Sequence, residues 1–104
     1  METNLNKIKA REIMPGCHGK VIHGKKMTWV FWDIEQNAII PKHNHPHEQI
    51  MHVIEGKFEF TSDGITQNYG PGSIVHIASN IYHSGRAITK CKLMDVFSPK
   101  REEY

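Results

Sequence analysis

The chain is 104 residues long, enough for one domain around one hydrophobic core and too short for two. Thirteen basic side chains against eleven acidic ones leave a formal charge of +2, spread without blocks. That balance is too weak and too diffuse to argue for nucleic acid or a membrane surface, so neither is expected as a partner. The unusual count is histidine, with eight copies at His18, His23, His43, His45, His47, His52, His76 and His83.

Met1–Ala10 is polar and charged and has no apolar core of a signal peptide. No run reaches the roughly 20 apolar residues of a membrane span, so a cytoplasmic location is expected. Residues 1–14 read as an N-terminal arm, with Leu5–Met14 a short arm or helical turn. Cys17 and Cys91 are far apart and neither belongs to a CxxC pair. Both are expected to be free thiols in a reducing compartment, although a disulfide is chemically open to them. Short apolar or alternating runs then follow one another, expected as strands: Lys20–Ile22, Thr28–Ile34, Ala38–Pro41, Gln49–Ile54, Phe58–Ser62, Ile65–Tyr69, Ser73–Ile77, His83–Ala87 and Lys90–Phe97. Turn signals separate them at Glu55-Gly56-Lys57, Ser62-Asp63-Gly64 and Gly70-Pro71-Gly72. With no long segment of 3.6-residue period, the expected fold is all-β, a sandwich or barrel, in a single domain over residues 1–104.

Two strands speak about packing. In Thr28–Ile34, Trp29 and Phe31 point one way while Val30, Trp32 and Ile34 point the other. A strand apolar on both faces wants cover on both, so one face is expected to meet the core and the other a second subunit in a homodimer. In Lys90–Phe97, one face carries Cys91, Leu93, Asp95 and Phe97. If that face is the inner one, Asp95 is a carboxylate inside the barrel, where burial raises its pKa. A group so placed is either a catalytic candidate or a buried acid that holds backbone amides.

The chemistry concentrates at His43-Asn44-His45-Pro46-His47-Glu48-Gln49. Two imidazoles two residues apart on an extended segment project to one side, and Gln49 returns there with a carbonyl oxygen. With His83 arriving from another strand, the set makes an N3O pocket suited to a divalent transition ion. His47 is expected at the edge of the site or in solvent, with His52 sharing that ambiguity. His76 is expected to line the barrel or sit hydrogen-bonded in the core, and His18 and His23 at the surface. Phe58, Phe60, Tyr82 and Phe97 are expected as core or pocket-wall aromatics.

These residues resemble the cupin family. Its first motif has His-x-His, three or four residues, a Glu, six residues and a Gly; here His43-x-His45, three residues, Gln49, six residues and Gly56 follow that spacing. The leading Gly is missing and Gln replaces Glu. The second motif is matched by Gly72, a strand through Ile77, and His83, with Ala78 and Asn80 where Pro and Gly usually stand. A narrower resemblance is to small single-domain cupins of the pectin-degradation (KdgF-like) type. It rests on the His43–Gln49 string, on His52-Val53-Ile54-Glu55-Gly56-Lys57, and on the ending Asp95-Val96-Phe97-Ser98-Pro99-Lys100-Arg101-Glu102-Glu103-Tyr104. In that group the end typically reads Asp-Val-Phe-Ser-Pro-Pro-Arg, then two acids and Tyr.

The resemblance implies a double-stranded β-helix, a small jelly-roll barrel with a metal at its mouth and residues 98–104 as a tail beside it. It implies His43, His45, Gln49 and His83 as ligands of a divalent ion: Zn, Ni, Mn, Fe or Co. The implied activity converts 4,5-unsaturated monouronates, released from pectin or alginate, to the linear 4-deoxy-5-keto uronate. Asp95 is then the expected proton carrier, and Arg101, with Phe97, the expected contact for the sugar acid. For Arg101, a surface ion pair with Glu102 or Glu103 is the plain alternative. A cupin can also be a dioxygenase or another sugar isomerase, or a non-catalytic module that holds a sugar acid or metal.

Overall fold

The computed structural model describes residues 1–104 and contains ten strands preceded by a 3-10 turn at Leu5–Lys7. They are β1 (Arg11–Met14), β2 (Cys17–His23), β3 (Thr28–Ile34), β4 (Ile39–His43), β5 (Glu48–Glu55), β6 (Phe58–Ser62), β7 (Ile65–Tyr69), β8 (Ile74–Ile77), β9 (His83–Ala87) and β10 (Cys91–Ser98). Two antiparallel sheets face each other, one in the order β1-β2-β3-β10-β5-β8 and the other β4-β9-β6-β7. This is the expected all-β jelly roll. No helix is long and apolar enough to cross a membrane.

Four expected strands run from end to end as read: Thr28–Ile34, Phe58–Ser62, Ile65–Tyr69 and His83–Ala87. The segment expected as an arm or helical turn contains both a turn and a strand. Its last four residues, β1, pair with β2 at Arg11↔Gly19, Glu12↔His18 and Met14↔Cys17, and the register shifts between Glu12 and Met14. Such a bulge bends an edge strand and re-aims its last side chain.

Alternation fills the core. Val30, Trp32 and Ile34 of β3, Cys91, Leu93 and Phe97 of β10, Met51 and Val53 of β5, and Phe58 and Phe60 of β6 are all buried. Asp95 shares the inner face of β10 and is 6% exposed, as its parity predicts. Cys17 and Cys91 pair with Ile34 from its two sides, and both are free. On the outer face of the larger sheet, Trp29 and Phe31 stack with ring centroids 6.4 Å apart. One row of that face runs Ile22, Trp29, Val96, Ile50; the next places Phe31 beside Met94. His76 is a correction: it is exposed on this outer side, with Nε2 2.6 Å from Glu48 Oε2, and does not line the barrel.

The register also decides where function can sit. Thr28, Phe97, Gln49 and Ile77 form one cross-strand row at one end of the larger sheet. In the smaller sheet His43 pairs with His83, and His83 with Ser62. All the polar candidates therefore meet at one end of the barrel.

Candidate metal centre

The local chain dictates where the imidazoles point. β4 ends on His43, Pro46 cannot donate to a ladder, and β5 begins again at Glu48. The intervening loop is tied to the loop before β9 by Asn80 N–H donating to the His45 carbonyl (2.8 Å) and Asn44 Nδ2 donating to the Asn80 carbonyl (3.3 Å). These two bonds hold the His43–His45 segment against the segment that leads into His83.

Each ring is then oriented by a backbone carbonyl two residues away. His43 Nδ1 lies 2.7 Å from the Pro41 carbonyl, His45 Nδ1 3.0 Å from that of His47, and His83 Nδ1 2.8 Å from that of Ile81. A carbonyl only accepts, so these bonds assign the proton to Nδ1 and leave the Nε2 lone pair free on all three rings. The ring centroids are 4.3 Å (His43–His83), 5.0 Å (His45–His83) and 5.6 Å (His43–His45) apart. The donor atoms of the three lie within 4.8 Å of one another, close enough to share one ion. Gln49 Oε1 stands 3.1 Å from His45 Nε2. With Nδ1 protonated, that brings two lone pairs face to face, an arrangement that a shared cation resolves. His43, His45, Gln49 and His83 are thus brought together as expected, and the donor set suits a divalent transition ion.

Electrostatics favour the same state. Burial lowers the pKa of His45 to about 4, helped by the Arg101 charge, and burial lowers that of His83 as well. Both are therefore neutral at pH 7, the form that binds a metal.

Behind the cluster is an inner cavity of about 30 Å³ lined by His43, Gln49, His83, Asp95, Phe97 and Arg101 among others. Trp32 Nε1–H donates to Asp95 Oδ2 at 3.0 Å, and Asp95 Oδ1 is buried without a partner. Burial pushes the Asp95 carboxyl up to about 6, and Gln49, Trp32 and Arg101 oppose the rise. In front lies an open cleft of about 350 Å³, which includes Ile13, Met14, His43, His45, Arg101, Glu103 and Tyr104.

Arg101 is 8% exposed and stands between these two spaces. Its guanidinium carbon lies 4.8 Å from the Phe97 ring centroid and 4.1 Å from that of Tyr104. Its Nε donates to Glu103 Oε1 at 2.6 Å, and its backbone N–H donates to Thr28 Oγ1 at 2.8 Å. The expected Glu103 pair is therefore real, yet it uses only Nε and leaves both Nη atoms without a protein partner. Phe97 is 1% exposed and acts as the wall beneath Arg101.

His47 takes the first of its two expected places, at the edge of the site. His47 is 8% exposed, its ring centroid 5.4 Å from that of His45 and 6.4 Å from that of Phe97, and its Nε2 is 3.3 Å from the Lys100 carbonyl. Thr28, Trp32, Tyr104 and Met14 also build the site; the inward parity of Trp32 was a usable signal, whereas nothing marked Met14. His52 pairs with Ile74 and Met94 on the larger sheet, away from the imidazoles. A second group, Glu12, His18 and Glu35, lies at the surface, where a 2.7 Å contact between His18 Nε2 and Glu35 Oε2 accounts for it. Tyr82 is 56% exposed and lines a separate cleft beside His83.

Residues 30–97 match the family model described as Cupin domain. The chain belongs to the cupin family. No curated sequence matches it. Among solved structures, an RmlC-like cupin from Shewanella frigidimarina is similar at a TM-score of 0.93 and 24% identity, over 97% of this chain and 92% of that one. KdgF from Halomonas sp. is similar at 0.91 and 23% identity, over 99% and 98%. An oxalate decarboxylase variant from Bacillus subtilis gives 0.82 and 16%, over 93% of this chain and 29% of that one. At these identities the likeness is one of fold, and it agrees with the KdgF-like resemblance of the sequence.

Proposed function

We propose that this cupin is a metal-dependent isomerase that opens 4,5-unsaturated monouronates to the linear 4-deoxy-5-keto uronate. The observation that carries the reading is the convergence, at one end of the barrel, of three oriented imidazoles, a buried acid and an arginine with a free Nη edge. The KdgF-like C-terminal string, which supplies both Asp95 and Arg101, points to the same substrate class.

The reaction is a proton shift without redox change. The anomeric hydroxyl loses its proton, the bond from C1 to the ring oxygen breaks, the ring oxygen becomes the C5 ketone, and C4 gains a proton. A divalent transition ion (Zn, Ni, Mn, Fe or Co) held by His43, His45, His83 and Gln49 supplies Lewis acidity that makes a sugar hydroxyl easier to deprotonate. Gln49 would add a neutral donor to the three imidazoles, so the ligand set would carry no charge to offset the ion's, which favours that role. Arg101 offers its two Nη groups to the substrate carboxylate as a planar bidentate partner. Phe97 and Tyr104 keep that plane fixed, so little side-chain freedom is lost on binding. Asp95, with an unpartnered Oδ1, accepts the hydroxyl proton and returns it to C4.

The apolar outer face of the larger sheet supports a homodimer, with Trp29, Phe31, Ile50 and Val96 covered by a second copy. Incubating metal-loaded protein with unsaturated galacturonate and following ring opening by NMR tests the reading. Acceleration over the spontaneous rate is expected, and its absence refutes the isomerase. Tight binding of the sugar acid without turnover would instead indicate a binding module.

A further inference from the structure

The inner cavity and the outer cleft differ tenfold in size, about 30 Å³ against about 350 Å³. The larger falls in the range of small-molecule pockets, whereas the smaller has room for only a water or a few. A sugar ring therefore fits the cleft and not the chamber where Asp95 is buried. Four residues line both spaces and so form the neck: Met14, His43, Arg101 and Tyr104.

Three of the four are tethered. His43 is held by the Pro41 carbonyl, and Arg101 by Thr28 and Glu103. The Tyr104 ring packs at 5.6 Å against both Trp32 and Phe97, and Arg11 Nη2 donates to its backbone oxygen at 2.9 Å. Met14 has no polar tether, and an unbranched thioether changes rotamer at little cost. Its position is also a built one: it closes the edge strand β1 immediately after the register shift that separates it from Glu12. Bulges beside functional sites commonly serve to re-aim a side chain.

We infer that Met14 is the gate between the sugar-binding cleft and the chamber of Asp95, and that it sets which part of a bound sugar acid reaches the carboxyl. The role in specificity rests on the proposed isomerase; the gate itself does not. With Met14 across the neck, the chamber admits water or a single small group. When it swings aside, the C1 hydroxyl and C4 edge of a ring anchored at Arg101 reach Asp95, while bulkier substituents stay outside.

Trp32 lines the chamber and is one of two tryptophans, so in a Trp29→Phe background its fluorescence reports access through the neck without metal or substrate. Acrylamide quenching of Trp32 is expected to rise severalfold in Met14→Ala, to fall in Met14→Phe, and to stay near wild type in Met14→Leu, whose volume is similar. Unchanged quenching in Met14→Ala, with thermal melts showing an intact fold, overturns the gate. In parallel, Met14→Phe is expected to lose about tenfold or more in turnover of unsaturated galacturonate at unchanged metal content, as misplacement at a reacting centre does. Full turnover by Met14→Phe overturns the specificity role. A wild type that does not turn over the sugar refutes the isomerase alone, and quenching still decides the gate.

Discussion

Gly85→Ala is a severe test of how the barrel holds its site. Gly85 lies in β9, two residues after His83, and pairs with Phe60 of β6 and Ile40 of β4. A Cβ built there stands 2.8 Å from Cε2 of Phe58 and closer still to Cζ. Carbon atoms rest at about 3.5–4.0 Å, so the ring must retreat by roughly an ångström. Phe58 is fully buried and its ring already stacks at 6.3 Å on Phe60, so the only free space beside it is the inner cavity of about 30 Å³. Overpacking of this kind costs about 1–3 kcal/mol. For a domain near this length, Tm should fall by about 4–8 °C for each kcal/mol. Urea denaturation should show a lower midpoint with an unchanged slope. Adding Phe58→Leu should recover part of the loss, because the two sites are in direct contact and their effects are not additive. A Gly85→Ala protein within about 0.5 kcal/mol of wild type, the spread of ordinary surface changes, would refute the packing argument.

Asp95→Asn keeps the shape and an acceptor for Trp32 but cannot carry a proton. Uronate turnover should fall by about 10²–10⁴-fold with fold and metal content retained, and unchanged turnover in the NMR assay would remove Asp95 from the reaction. Arg101→Lys replaces a stacked planar fork with a point charge; KM should rise about tenfold and kcat should change less, as steady-state kinetics will show. His18 is held above its ordinary pKa by its hydrogen bond to Glu35, against a smaller opposing effect of burial. Glu35→Gln should bring its NMR titration midpoint back down toward 6.5. Because the folded value is the raised one, whatever this pair adds to stability is present below the unfolded pKa and fades as pH rises through the folded value.

The parts of the fold that local pattern can carry were legible. β3, β6, β7 and β9 alternate or are bounded by Gly and Asp turns, and their ends match residue for residue. β1 was not legible, because Arg11-Glu12-Ile13-Met14 has no period-two signal and owes its strand state to pairing with β2 across a bulge. The ligand set was legible for a different reason: His43, His45 and Gln49 are close in sequence, and His83 is matched by the family motif. The sequence leaves His47 between the edge of the site and solvent because Pro46-His47 is a bend, where strand parity does not govern side-chain direction. His76 was misplaced because its partner Glu48 is brought to it only by the register of β5 with β8. For Arg101 the sequence allows a substrate contact or an ion pair; in the structure Nε pairs with Glu103 and the Nη edge has no protein partner.

The chemistry proposed for this site depends on one ion held by three imidazoles, and metal content measures that. Protein purified without a His-tag or a nickel column should carry, or take up on titration, about one divalent transition ion per chain, and His45→Ala and His83→Ala should each lose it. A wild-type protein that binds no ion, or variants that keep full stoichiometry, would contradict the account.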